Sequence, residues 1–213
     1  MRELRVFYGG TFDPVHNGHL AIARAARDAL AVDIRLMPAA DPPHRAPTGA
    51  SAVDRAEMLR LAIAGTCGLL LDRRELERGG PSWTIDTLRA LRAEFGPDAP
   101  IAWLVGADSF VGLPTWKCWR ELFGLAHFIV AERSGSPIDG TLDPELAEVL
   151  AGRWVNEPDA LRRSPAGRVL QLHQPLQAHA ATDLRQRIAA GLPWRPLVPS
   201  AVADYIVAHG LYG

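Results

Sequence analysis

The sequence predicts an α/β fold: a doubly wound parallel sheet with helices on both faces and a small C-terminal helical part at about 182–213. Three observations carry this. Short apolar runs rich in β-formers alternate with longer runs whose apolar residues recur at helical spacing, the rhythm of parallel βαβ units. The first strand-like run ends in a glycine-rich turn, GGTFDPVHNGHL (9–20), that opens a helix; open α/β sheets bind ligands at such carboxyl ends. Finally, 213 residues with 48% hydrophobic and 22% charged composition are enough for one domain with a sizeable core.

Each element has its own reason. LRVFY (4–8) is short, apolar and rich in β-formers, hence a strand. HLAIARAARDALA (19–31) is alanine-rich and helical in period, with Asn17 as its cap. DIRLMP (33–38) reads as a strand and the proline-rich AADPPHRAPTGA (39–50) as a loop. SAVDRAEMLRLAIAG (51–65) reads as a helix ending at Gly65, and LLLD (69–72) as a buried strand. PSWTIDTLRALRAEFG (81–96) reads as a helix capped by Ser82 or Thr84 and closed by Gly96. PIAWLVGAD (100–108) is a strand with a glycine turn, and AHFIVAER (126–133) another strand. Glycines and prolines break the rhythm over 134–167, which reads as an irregular or partly helical surface excursion. RVLQLH (168–173) resumes as a strand. TDLRQRIAAG (182–191) is a helix with Thr182 at its N-cap and Gly191 past its end, and SAVADYIVAHG (200–210) a last helix ending at Gly210.

A net charge of −1 supplies no electrostatic case for nucleic acid or an anionic membrane. Cys67 and Cys118 form neither a CxxC pair nor a metal-ligand spacing and read as thiols of a reducing cytosol. MRELRVFYGG enters the strand pattern too soon for a signal peptide, and no apolar run is long enough to span a bilayer. The expectation is a soluble cytoplasmic protein.

The opening turn carries more than turn residues. Gly9 and Gly10 allow the backbone close approach to a ligand or a neighbouring chain segment. His16 falls just outside the helix and His19 in its first turn, a spacing that puts both imidazoles on one side. With the N–H groups and positive end of the helix they make an anion site suited to phosphate. The residues match neither GxGxxG nor a Walker GK[ST] ending. No third and fourth ligands stand near for zinc. By themselves, these residues also suit a glycine turn with two surface histidines.

GGTFDPVHNGHL resembles the T/HxGH signature of the nucleotidyltransferase family. Further stretches, in order, are similar to the bacterial nicotinate-nucleotide adenylyltransferases: PPHR (42–45), LDRRELERGGPSWTIDTL (71–88), VGADSF (105–110), LPTW (113–116), HFIVAER (127–133) and TDLRQRI (182–188). The resemblance runs from the first strand to Tyr212. It implies a Rossmann-like sheet forming one nucleotidyltransferase domain over 1–213, transfer of AMP from ATP to nicotinate mononucleotide, and Mg2+ held chiefly by the ATP phosphates. ATP and the mononucleotide would be its small-molecule partners.

The resemblance also implies roles. His16, His19 and Arg45 are the catalytic candidates. Gly9, Gly10, Thr11, Phe12, Gly18, Arg133, Thr182 and Arg185 would bind ATP and its phosphates. Ser82, Trp83, Thr84, Gly106, Asp108, Trp116 and Lys117 would bind the mononucleotide, with Trp116 stacking on the ring and Asp108 on ribose hydroxyls. Read as residues alone, Trp83 and Trp119 suit the core. Two departures stand out. The family's Ile-Ser-Ser-Thr-x-x-Arg has His179, Ala180 and Ala181 in its first three places here, and Lys117 stands where relatives often carry Tyr. Alternatives are an adenylyltransferase for nicotinamide mononucleotide or phosphopantetheine, an inactive nucleotide sensor, and a general α/β binding module.

Overall fold

The computed structural model describes residues 2–40, 48–132, 142–174 and 180–213. Their strands are β1 (Arg5–Gly10), β2 (Ile34–Pro38), β3 (Leu69–Leu71), β4 (Ile101–Gly106), β5 (His127–Ala131), β6 (Trp154–Val155) and β7 (Val169–Leu172). They form one sheet in the order β3-β2-β1-β4-β5-β7-β6, every pair parallel. The central strands are continuous apolar runs because both faces are covered; all of β5 is buried.

The helices are α1 (Asn17–Leu30), α2 (Ala52–Ile63), α3 (Arg74–Arg78), α4 (Thr84–Phe95), α5 (Ala107–Val111), α6 (Trp119–Leu125), α7 (Pro144–Leu150), α8 (Ala181–Ala189) and α9 (Ser200–Ala208). Alternation along β1 divides them into two layers. Val6 and Tyr8 join Leu20, Leu59, Leu184 and Val202 of α1, α2, α8 and α9. Phe7 points the other way, among Ile85, Phe110, Phe123 and Leu146 of α4 to α7. Among the described residues no helix is long and apolar enough to cross a membrane.

The chain runs outward from β1 to β3, returns to the centre, and continues outward from β4. Strand order therefore reverses between β1 and β4, where Tyr8 lies beside Leu104. Their carboxyl ends, Gly10 and Gly106, open at one edge, the place where folds of this kind bind ligands.

Several local expectations need correction. Helix α4 has no side-chain cap: Trp83 holds the N-cap position, and Ser82 bonds elsewhere. Ala180 holds the N-cap position of α8, so Thr182 lies inside its first turn. The end of α8 is as expected. Gly191 adopts φ 65°, and the Leu192 N–H reaches back to Arg187 O at 2.9 Å, the closing bond of a Schellman turn. In 134–167 the described part holds α7, capped by Asp143, and the edge strand β6. Two residues show no alternation, which is why β6 escaped the pattern. Helices α3, α5 and α6 escaped it likewise: five to seven residues make too few turns to establish a period.

Candidate active site

The turn after β1 is shaped by what surrounds it. A Cβ on Gly9 would stand 2.1 Å from Cζ2 of Trp103 on β4. The close neighbour that Gly9 admits is therefore this indole. Gly10 packs against the Phe12 ring, and its carbonyl accepts from Ala39 N at 2.9 Å.

The histidines do two things. Asn17 was expected to cap α1, but it occupies the first helical position and its amide donates to Pro196 O at 2.9 Å. The cap is His16, whose Nδ1 accepts from Gly18 N at 3.1 Å. In return the His16 N–H donates to Nδ1 of His19 at 3.3 Å. This is a capping box built from imidazoles. The rings lie 3.8 Å apart between centroids, and Phe12 meets His19 edge-on at 5.0 Å. An Nδ1 that accepts a backbone N–H carries no proton, so the neutral tautomer of each ring is protonated at Nε2. The Gly18 N–H, expected at the phosphates, serves the cap.

Two buried charges that the sequence reading left out organise this turn. Arg55, fully buried on α2, donates to Thr11 O at 2.7 Å, Ala40 O at 2.9 Å and Ala50 O at 3.3 Å. It thereby ties the β1 turn to both sides of the segment after β2. In sequence it reads as one more polar position of an amphipathic helix. Asp13, 4% exposed, accepts from Gly49 N at 2.8 Å, Ala50 N at 3.2 Å and the Tyr212 hydroxyl at 2.8 Å. Arg185 of α8 donates to the Asp13 carbonyl at 2.6 Å, stands 3.5 Å from its carboxylate and donates to Thr182 Oγ1 at 3.4 Å. Burial, then the Asp13 charge, pushes the Tyr212 phenol far above its ordinary value, so it donates throughout the working pH range.

On the other side, Ser82 is buried and its Oγ accepts from Ala40 N at 2.9 Å, joining α4 to the segment after β2. Trp83 and Thr84 are half-buried. Lys117 Nζ lies 5.4 Å over the Trp83 ring and 3.6 Å from Asp86. Gly106 precedes α5, Asp108 is exposed in its first turn, and Trp116 packs half-buried on the second layer. Trp119 is core, as expected. The structure thus joins Phe12, His16 and His19, ties Arg185 and Thr182 to the same turn, and links Ser82 to it through Ala39 and Ala40. Arg45, Arg133 and His179 lie outside the described residues.

Residues 7–187, which hold the imidazole-capped helix at the reversal point of the parallel sheet, match the model of the cytidylyltransferase-like family of nucleotidyltransferases. The chain is 61% identical, over its full length and 98% of the relative, to "Probable nicotinate-nucleotide adenylyltransferase" of Stenotrophomonas maltophilia. It is 48% identical to the Xylella fastidiosa protein of the same name, with the same coverage. In fold it is similar to Plasmodium falciparum nicotinic acid mononucleotide adenylyltransferase complexed with NaAD, with TM-score 0.76, 15% identity, and 99% of this chain and 97% of that one covered. The same Plasmodium enzyme complexed with APC matches with TM-score 0.72 and 16% identity, over 99% and 97% of the two chains. The chain belongs to the cytidylyltransferase-like family and, within it, to the nicotinate-nucleotide adenylyltransferases.

Proposed function

We propose that this chain joins ATP and nicotinate mononucleotide to give nicotinate adenine dinucleotide and pyrophosphate. The observation that carries the reading is the paired, Nδ1-anchored imidazoles at the reversal point of the sheet. The nucleophile is a phosphate oxygen of the mononucleotide, largely ionised at neutral pH, so no general base is needed. It attacks the α-phosphorus in line. The bond to the bridging oxygen breaks, and pyrophosphate leaves with the electron pair.

His16 and His19 donate from Nε2 to the ATP phosphates and stabilise the charge moving onto the leaving group. Arg185 and Thr182 meet the phosphates from α8, and Arg45 and Arg133 are proposed as further phosphate contacts. Trp116 stacks on the pyridine ring, Asp108 accepts from ribose hydroxyls, and Thr84 with the backbone around it receives the pyridine carboxylate. Magnesium, brought chiefly by the ATP phosphates and water, would supply charge neutralisation when bound. The side chains fit that arrangement. Imidazole N–H and guanidinium suit phosphate, while the Asp13 oxygens already accept from Gly49, Ala50 and Tyr212. Among the described residues no group of three or more His, Cys, Asp or Glu side chains is placed to hold a metal ion. The reading includes a cytoplasmic location, in keeping with two exposed thiols.

Steady-state pyrophosphate release with nicotinate and nicotinamide mononucleotide tests the substrate. A higher kcat/KM for the acid is expected, and a preference for the amide would overturn the assignment.

A further inference from the structure

We propose that Asp13 and Tyr212 are positioning residues, a buried clasp that presets Arg185 for ATP; this rests on the assignment of Arg185 to the ATP phosphates. Asp13 stands in the phosphate turn, three residues before the capping histidine. Its main-chain carbonyl takes one Arg185 amino group at 2.6 Å, and its carboxylate lies 3.5 Å from the same nitrogen. The guanidinium is thus anchored to Asp13 through this nitrogen and meets Thr182 Oγ1 at 3.4 Å through the other, while about a third of the side chain, 34%, remains exposed.

What holds the carboxylate in turn is the hydroxyl of Tyr212, which follows α9 and lies 199 residues away in sequence, together with two N–H groups from 49–50. A buried carboxylate is tolerable only when its oxygens accept several such bonds. The packing is equally specific. A Cβ on Gly49 would stand 2.8 Å from the Tyr212 ring and 3.1 Å from Cδ of Arg185. One carboxylate therefore binds together the turn of the histidines, the segment after β2, the start of α8 and the residues after α9. If it relaxed, Arg185 would have to be ordered by ATP itself, at the expense of affinity.

Tyr212→Phe keeps the ring and removes only the hydroxyl. Pyrophosphate release measured against each substrate should show the ATP KM raised about five- to tenfold, with the mononucleotide KM within about twofold, as befits one hydrogen bond to a charged group acting at second hand. Gly49→Ala, whose methyl would press on both the Tyr212 ring and Cδ of Arg185, should shift the same constant in the same direction. Arg185→Lys should raise the ATP KM, and adding Tyr212→Phe to it should raise it no further. If Arg185→Lys left the ATP KM unchanged, the phosphate assignment of Arg185 would fail, and the clasp with it. If Arg185→Lys raised it but Tyr212→Phe did not, or if the two effects multiplied, the clasp would be overturned while Arg185 kept its role. Equal increases in both KM values, or a fall in kcat alone, would mark Tyr212 as merely structural and also overturn the proposal.

Discussion

His16→Asn separates the two duties of the first imidazole. In the native turn Nδ1 of His16 accepts from Gly18 N at 3.1 Å, which is a helix cap, and leaves Nε2 as the donor proposed for phosphate. Asparagine is among the best capping residues, so the variant should keep its stability to within about 0.5 kcal/mol. His16→Ala removes the acceptor as well and should lose about 1 kcal/mol, or about 2–4 °C in Tm for a chain of this length. Both variants lack the Nε2 donor. Removing one preorganised donor from developing negative charge lowers kcat about 100- to 1000-fold, or about 2.7–4 kcal/mol. Urea titrations would follow the first effect and pyrophosphate release at saturating substrates the second. The signature is two variants alike in kcat and different in stability. If His16→Asn stayed within about threefold of the parent kcat, the imidazole would be a cap alone and its catalytic role refuted.

Other consequences are equally direct. Gly9→Ala drives a methyl to 2.1 Å from the buried Trp103 ring. It should cost about 1–3 kcal/mol by urea unfolding. A cycle with Trp103→Leu should recover part of that loss, and strict additivity would remove the clash as its cause. Burial, the dominant influence, holds the His127 imidazole below its ordinary 6.5. As pH falls through 6.5 the unfolded chain takes this proton before the folded one, so stability drops on the acid side by at most about 1.4 kcal/mol per pH unit from this group. His127→Gln should flatten the slope in urea titrations run on either side of that pH; an unaltered slope would assign it to another group. Lys117→Ala should raise the mononucleotide KM about two- to fivefold with the ATP KM unchanged, the scale of an exposed charge contact. An unchanged mononucleotide KM would remove Lys117 from substrate binding.

Much of the fold was legible because it is written in local period. The runs at 4–8, 33–38, 69–72, 100–108, 126–133 and 168–173 are strands within a few residues of those bounds, although 69–72, expected to be buried, is an edge strand that leaves Leu70 exposed. The long helices follow from alanine-rich or amphipathic runs closed by Gly65, Gly96, Gly191 and Gly210. His16 and His19 were legible as a pair because three-residue spacing at a helix start is itself local. Their roles as caps were not, since Asn17 is the better capping residue by type and only its placement one step inside the helix excludes it.

By itself the sequence determined the alternation of strands and helices, the turns that face the carboxyl edge, and the two imidazoles at the first of them. The tertiary structure alone decided that β1 and β4 are neighbours at the reversal point, that Arg55 points inward to three carbonyls, and that Asp13 is held by Tyr212 and in turn holds Arg185. The first group depends on residues within a turn or two of one another, where backbone geometry converts residue type directly into pattern. The second depends on partners up to 199 residues apart. For these, residue type shows only that a polar group is present, and the packing of two helical layers on one open sheet selects which partner it meets.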